Sequence, residues 1–175
     1  MYNKKGKKMN KQFLSPHFEL SEFIASRTAR EHGIDNTPPA EAVENLRALC
    51  VHTLEPLRNA LGLPIIITSG YRTKELNDLL AHSSSTSQHM QGRAADFYVG
   101  PSTGSGTEHR ELLIKAFREI LTNPKIDFDQ LILYPGFIHV SFVSKEKNRH
   151  GILKAQGNGK LGYGRLTLAN ALRIS

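Results

Sequence analysis

The sequence is poor in cysteine, in long apolar runs and, toward both ends, in acids. Cys50 is the only cysteine among 175 residues, so the chain cannot close an intramolecular disulfide. It falls in a helical apolar pattern and reads as a small packing hydrophobe. No stretch reaches the roughly 20 apolar residues of a membrane helix, so membrane insertion is not expected. No charged start leads into an apolar signal segment. A chain made as written is therefore expected in the cytoplasm unless a separate route releases it to the cell wall. No internal repeat appears. The run Gly100-Pro101-Ser102-Thr103-Gly104-Ser105-Gly106 lacks the Gly-Lys-Ser/Thr ending of a phosphate loop and reads as a linker.

The net charge is +7, and it belongs to the ends. Lys4, Lys5, Lys7, Lys8 and Lys11 stand in residues 1–12 with no acid, and residues 145–175 carry seven Lys or Arg against Glu146 alone. Basic ends favour polyanions, such as anionic cell-wall polymers. No recognition-helix pattern or interleaved aromatics accompanies them, so nucleic acid is not an expected partner. At this length and 39% hydrophobic content one core is expected. The boundaries read as a basic, disordered tail over 1–12, a domain over 13–145 and a basic, Gly-rich extension over 146–175. A monomer is expected.

What is present alternates between helical and extended patterns. After an entry segment over 13–18, Ser21 reads as the cap of a helix ending at Gly33, and a long apolar-periodic helix runs from Val43 to Leu61 with Gly62 beyond it. Pro56 inside that pattern predicts a kink or two helices. Short helices are predicted over 74–81 and, capped by Thr107, up to Asn123-Pro124. Strands are predicted over 64–68, 94–99, 129–134 and 137–143, the last two as a hairpin through Pro135-Gly136. The class is α+β, an antiparallel sheet with helices packed on one face.

The stretch Ser87-Gln88-His89-Met90-Gln91-Gly92-Arg93-Ala94-Ala95-Asp96 sets an imidazole and a carboxylate seven residues apart, and a later apolar strand carries His139. Period-two alternation puts Ala94, Asp96 and Tyr98 on one face of their strand, and His139 and Ser141 on one face of theirs. If the strands are neighbours, Asp96 and His139 converge and His89 reaches them from the preceding loop. Two imidazoles and a carboxylate can hold Zn²⁺ with a fourth position open for water, whose pKa the ion lowers to about 7. Arg72 could hold a substrate carboxylate, stabilise an oxyanion, or form a structural ion pair. Ser87 could bond substrate or brace the loop. His17, His32, His52, His82, His109 and His150 read as surface or packing residues.

The pattern Ser-x-His-x-x-Gly-x-Ala-x-Asp, matched at Ser87, His89, Gly92, Ala94 and Asp96 and followed by His139, resembles the zinc D-Ala-D-Ala carboxypeptidases and related phage endolysins. Thr68-Ser69-Gly70-Tyr71-Arg72 and Asn77 resemble another segment of that family, and the resemblance spans roughly residues 13–145. It implies the Hedgehog/DD-peptidase fold, Zn²⁺ as cofactor, a peptidoglycan or muropeptide substrate, and substrate contacts at Tyr71, Arg72 and Ser87. It also implies an acidic general base three residues before the last metal histidine, where this chain has Gly136. Hydrolysis needs a group to take the water's proton. Asp127, Asp129 and Tyr134 are the candidates, the two aspartates otherwise reading as surface acids. The expected function is hydrolysis of peptidoglycan stem peptides, in a phage or prophage lysin or a bacterial enzyme. The alternative is a zinc-containing wall-binding module with little or no catalysis.

Overall fold

The computed structural model describes residues 11–81, 83–101, 106–155 and 163–174. The predicted tail falls almost wholly outside these residues, as do His82, residues 102–105 of the linker and the Gly-rich stretch 156–162. In chain order the elements are β1 (Phe13–Ser15), β2 (Phe18–Glu19), α1 (Leu20–Ile24), α2 (Arg27–His32), α3 (Ala40–Leu49), α4 (Glu55–Leu61), β3 (Ile65–Ser69), α5 (Lys74–Leu79), β4 (Ala94–Val99), α6 (Thr107–Thr122), β5 (Gln130–Leu133), β6 (Ile138–Ser141), β7 (Gly151–Ala155), β8 (Tyr163–Arg165) and α7 (Leu168–Ala171).

The first predicted helix is two. Glu19, not Ser21, starts α1 through a reciprocal capping box with Glu22. Ser26 then caps α2, accepting from the Ala29 N–H at 3.2 Å, and Gly33 closes it as expected. Likewise Gly106 rather than Thr107 precedes α6. Pro56 has the effect its missing N–H predicts. It stands in the first turn of α4, after a π-helical turn over Cys50–Leu54. The His52 carbonyl, four residues before Pro56, accepts instead from the Asp127 N–H at 3.0 Å. Thr53 Oγ1 donates to the Asp127 carbonyl, so the break in the helix ties it to the entrance of β5. Cys50 is fully buried there, and burial pushes its thiol pKa up.

Six strands form one sheet in the order β3-β4-β6-β5-β7-β8. The four predicted strands are all present and pair antiparallel with one another, with β5 and β6 as the expected hairpin. The sheet as a whole is mixed, because β7 pairs parallel to β5, Gln130 opposite Gly151 and Leu133 opposite Lys154. Residues past 145 thus extend the sheet of the domain. Alternation sorts its two faces. Ala95, Phe97, Val99, Leu131, Ile138 and Val140, each no more than 1% exposed, point into the core with Leu46 and Leu57 of α3 and α4 and Leu113 and Phe117 of α6. At about 1.5–3 kcal/mol for each large apolar side chain, this face is what drives the sheet and helices together. The opposite face carries Asp96, His139 and Ser141.

Candidate metal centre

The site is a row across the uncovered face of the sheet. Asp96 of β4 lies directly opposite His139 of β6. On the other side a bulge between Ile67 and Ser69 shifts the β3 register and sets Ser69 opposite Asp96. The third member of the cluster, His89, comes from a 3₁₀ turn, Gln88–Gln91, whose cap is Ser87, with the hydroxyl accepting from the His89 N–H at 3.4 Å. Two glycines allow the approach. At Gly92 φ is +68°, and a Cβ would lie 2.3 Å from the Ala42 carbonyl oxygen of α3. At Gly70 a Cβ would lie 2.5 Å from the Phe23 carbonyl oxygen. The Gly70 carbonyl accepts from His89 Nδ1 at 2.7 Å. That bond puts the proton on Nδ1 and leaves the Nε2 lone pair facing the site.

His89 Nε2 lies 3.3 Å from Asp96 Oδ1, His139 Nδ1 lies 2.8 Å from the same oxygen, and the two nitrogens are 3.3 Å apart. Among the described residues this is a cluster whose ligating atoms all fall within 4.8 Å of one another. The edge of a tetrahedron with bonds of about 2.0–2.1 Å is about 3.3 Å, so the donor set fits Zn²⁺ with one position left for water. Charge states agree. Burial pushes the His89 pKa down, though Asp96 pulls the other way, and a neutral imidazole is what a metal needs. Burial opposes ionisation of Asp96, but His89 and His139 outweigh it and hold the carboxyl well below the usual carboxylate range. Its second oxygen, Oδ2, is 3.5 Å from Arg72 Nη2.

A comparison with protein families matches residues 16–141, which contain all three members of this cluster, to peptidase M15. The chain belongs to the peptidase M15 family. It is therefore a metallopeptidase by family, with the mixed α and β architecture that the family implies. A search of curated proteins finds no match.

Around the His-Asp-His cluster of this M15 chain a cleft of about 940 Å³ opens, lined by His89, Asp96, His139, Arg72, Ser87, Tyr134, Asp129 and others. Arg72 is 13% exposed and, besides Asp96, donates from Nε to Ser69 Oγ at 3.3 Å. Burial lowers its pKa while Asp96 and Tyr134 raise it. It is both ion-paired and on the cleft wall. Tyr134 stacks on Phe137 at 4.2 Å between centroids. Tyr71, expected at the substrate, is instead 7% exposed in the core and outside the residues lining this cleft. Its backbone explains the position: the N–H donates to the Phe23 carbonyl and the carbonyl accepts from Asn36 Nδ2.

Of the two aspartates, Asp127 keeps a side chain 25% exposed, and Asp129 is not a surface acid. Asp127 accepts from His150 Nε2 and from the Phe128 N–H, and does not line the cleft. Asp129 is fully buried beside the centre. It accepts from the Arg149 N–H at 2.9 Å, Arg149 Nε, Arg149 Nη2, Gln88 Nε2 at 2.9 Å and Ser141 Oγ at 3.4 Å. A carboxylate offers about four acceptor positions, so this one is fully engaged. Burial would raise its pKa, but the Arg149 bonds prevail and lower it to about 2. Gln88 and Arg149 are the residues that sequence reasoning missed. Gln88 occupies an unspecified position of the motif, and Arg149 is one cation among many in a basic segment.

Proposed function

We propose that the chain hydrolyses a peptide bond of peptidoglycan stem peptides, as a D,D-carboxypeptidase or an endopeptidase, with Zn²⁺ on His89, Asp96 and His139. The observation that carries this reading is the convergence of those three donors at the floor of a 940 Å³ cleft in a member of the M15 family. Bound there, Zn²⁺ would acidify a water and polarise the scissile carbonyl. The chain's own residues set up the rest. Gly70 holds His89 in the ligating tautomer, and Arg72 braces Asp96 from the side facing away from the imidazoles. The Arg72 guanidinium, largely desolvated on the cleft wall, supplies fixed positive charge for a developing oxyanion.

Proton transfer is the weak link. Asp96 and Asp129 are the only carboxylates among the described residues lining the cleft. One is a ligand and the other is engaged by Arg149. We assign the proton-transfer role to the Tyr134 phenol, which lines the cleft beside Arg72. A phenol is a poor base near pH 7, so slow turnover is the expected consequence. The basic ends suit an anionic wall polymer as the setting of the substrate. Gly136, standing where the family resemblance implies an acid, favours a second reading, a wall-binding module that keeps zinc without hydrolysis. Incubating the zinc-loaded chain with purified peptidoglycan and muropeptides, and analysing products by mass, separates the two. The first reading expects slow, chelator-sensitive release of a defined peptide product, and no cleavage of any wall fragment transfers the conclusion to the second.

A further inference from the structure

The cleft has a second charged element, built by residues the metal centre does not use. Arg149 is 62% exposed in its side chain, yet it is pinned. Its Nε lies 2.9 and 3.1 Å from the two oxygens of Asp129, and its Nη2 bonds Asp129 Oδ2 and Gln88 Oε1. Asp129 itself is 0% exposed and receives the Arg149 backbone N–H as well. An exposed arginine ordinarily loses side-chain entropy when held. Here a buried carboxylate and a glutamine hold one guanidinium against the cleft, and the arginine's own backbone N–H bonds the same carboxylate. A guanidinium has five N–H groups, and among the described residues these bonds leave the Nη1 pair without an acceptor. Lys147 lines the same wall. Gln88, which bonds both Asp129 and Arg149, is the residue before the ligand His89, so the assembly is tied to the metal loop. Arg149 lies beyond residues 16–141, outside the family match.

We propose that Arg149, planted on Asp129, is a specificity residue that binds a carboxylate of the peptide substrate away from the scissile bond. The substrate class is thus an acidic peptide, with a free carboxylate on a residue that is not cut. This deepens the reading of the cleft as a peptide-binding site and rests on it. A planar guanidinium with a free pair of N–H donors suits a carboxylate, and a charge-assisted bond of this kind discriminates by about 10- to 100-fold.

The test uses two synthetic stem-peptide analogues that differ only in one internal acidic residue, present as carboxylate or as carboxamide. Both kcat/KM and the dissociation constant are measured on the zinc-loaded full chain. The wild type should favour the carboxylate peptide by about 10- to 100-fold, chiefly in KM and Kd. Arg149→Gln should bring that ratio close to one, and Arg149→Lys should retain part of it. Equal handling of both peptides by wild type overturns the assignment. So does an Arg149→Gln variant that keeps the wild-type ratio, whose only effect is then structural. If Arg149→Gln does not fold, the wild-type and Arg149→Lys ratios decide. If neither peptide is cleaved, the proposed activity fails, and the ratio of dissociation constants still decides on Arg149.

Discussion

Replacing Gly136 with glutamate tests directly whether this cleft lacks a proton acceptor. Gly136 sits in the β5–β6 turn, three residues before His139. A Cβ built there meets nothing within 4 Å, and Gly136 is not one of the glycines in the left-handed region. The turn is held by contacts a side chain would not disturb: the Gly136 carbonyl accepts from His109 Nε2 at 2.9 Å, and the Tyr134 N–H donates to the Phe137 carbonyl at 3.0 Å. The folding cost is therefore that of an ordinary surface substitution, within about 0.5 kcal/mol. A well-placed general base contributes about 10²–10⁴-fold, or about 2.7–5.4 kcal/mol of barrier at 1.36 kcal/mol per tenfold. The assay is kcat/KM on a muropeptide for wild type and Gly136→Glu, with zinc content and thermal midpoint measured on the same samples. A gain of about 100-fold or more, with a new acidic limb in the pH profile, is expected. An unchanged or lower rate at equal zinc and equal stability would refute the argument, because the native cleft would then already contain a competent base.

Three further outcomes are expected. His89→Ala removes a buried ligand, so elemental analysis should find no stoichiometric zinc in a chain that circular dichroism shows to be folded; retained zinc would rule out the assigned set. Asp129, lowered to about 2 by Arg149 against an ordinary 3.8, contributes stability that is fully present above about pH 4 and lost as pH falls toward 2. The shift corresponds to about 2 kcal/mol. Urea midpoints at pH 7, 4 and 2.5 should fall less steeply across this window for Asp129→Asn than for wild type, and parallel curves would contradict the ion-pair account. Gly92→Ala forces a Cβ onto the Ala42 carbonyl at φ +68°. The left-handed conformation alone costs about 1–2 kcal/mol, so a thermal midpoint unchanged from wild type would show that the turn can relax away from α3.

Much of the fold was legible because alternation is a local signal. The period-two pattern in 94–99 and 138–141 placed Asp96 and His139 on the face opposite Phe97 and Ile138, and the register confirms it. Pro56 announced the break in the long helix for an equally local reason. The parallel β7 was not legible. Gly151–Ala155 is short, has two basic residues just before it and Lys154 within it, and becomes a strand through partners distant in sequence, the edge of β5 on one side and β8 on the other. Ser21 and Thr107 misled for the opposite reason, since hydroxyls near a helix start look alike in sequence while the cap is decided by the neighbours, Glu19 with Glu22 in one case and Gly106 in the other.

The site divides along the same line. His89, Asp96 and His139 could be paired from sequence because two lie in strands of known alternation and the third is anchored to one of them by a short turn. Arg149 could not, since its importance is conferred by Asp129, twenty residues away and hidden beneath it. The same pairing changes the meaning of Asp129. Read in sequence it is a free acid near the hairpin and hence a base candidate; in the fold every acceptor position faces a donor. A carboxylate with a pKa of about 2 that is already satisfied has little tendency to take a proton from water near neutral pH. Its buried charge acts instead on a guanidinium, holding Arg149 in place on the cleft wall. In the proposed reading, metal binding and proton transfer are therefore set by separate parts of this chain. The first would rest on the sheet register and the Gly92 turn, the second on the composition of residues 134–137, where one substitution would change turnover without touching a metal-binding donor.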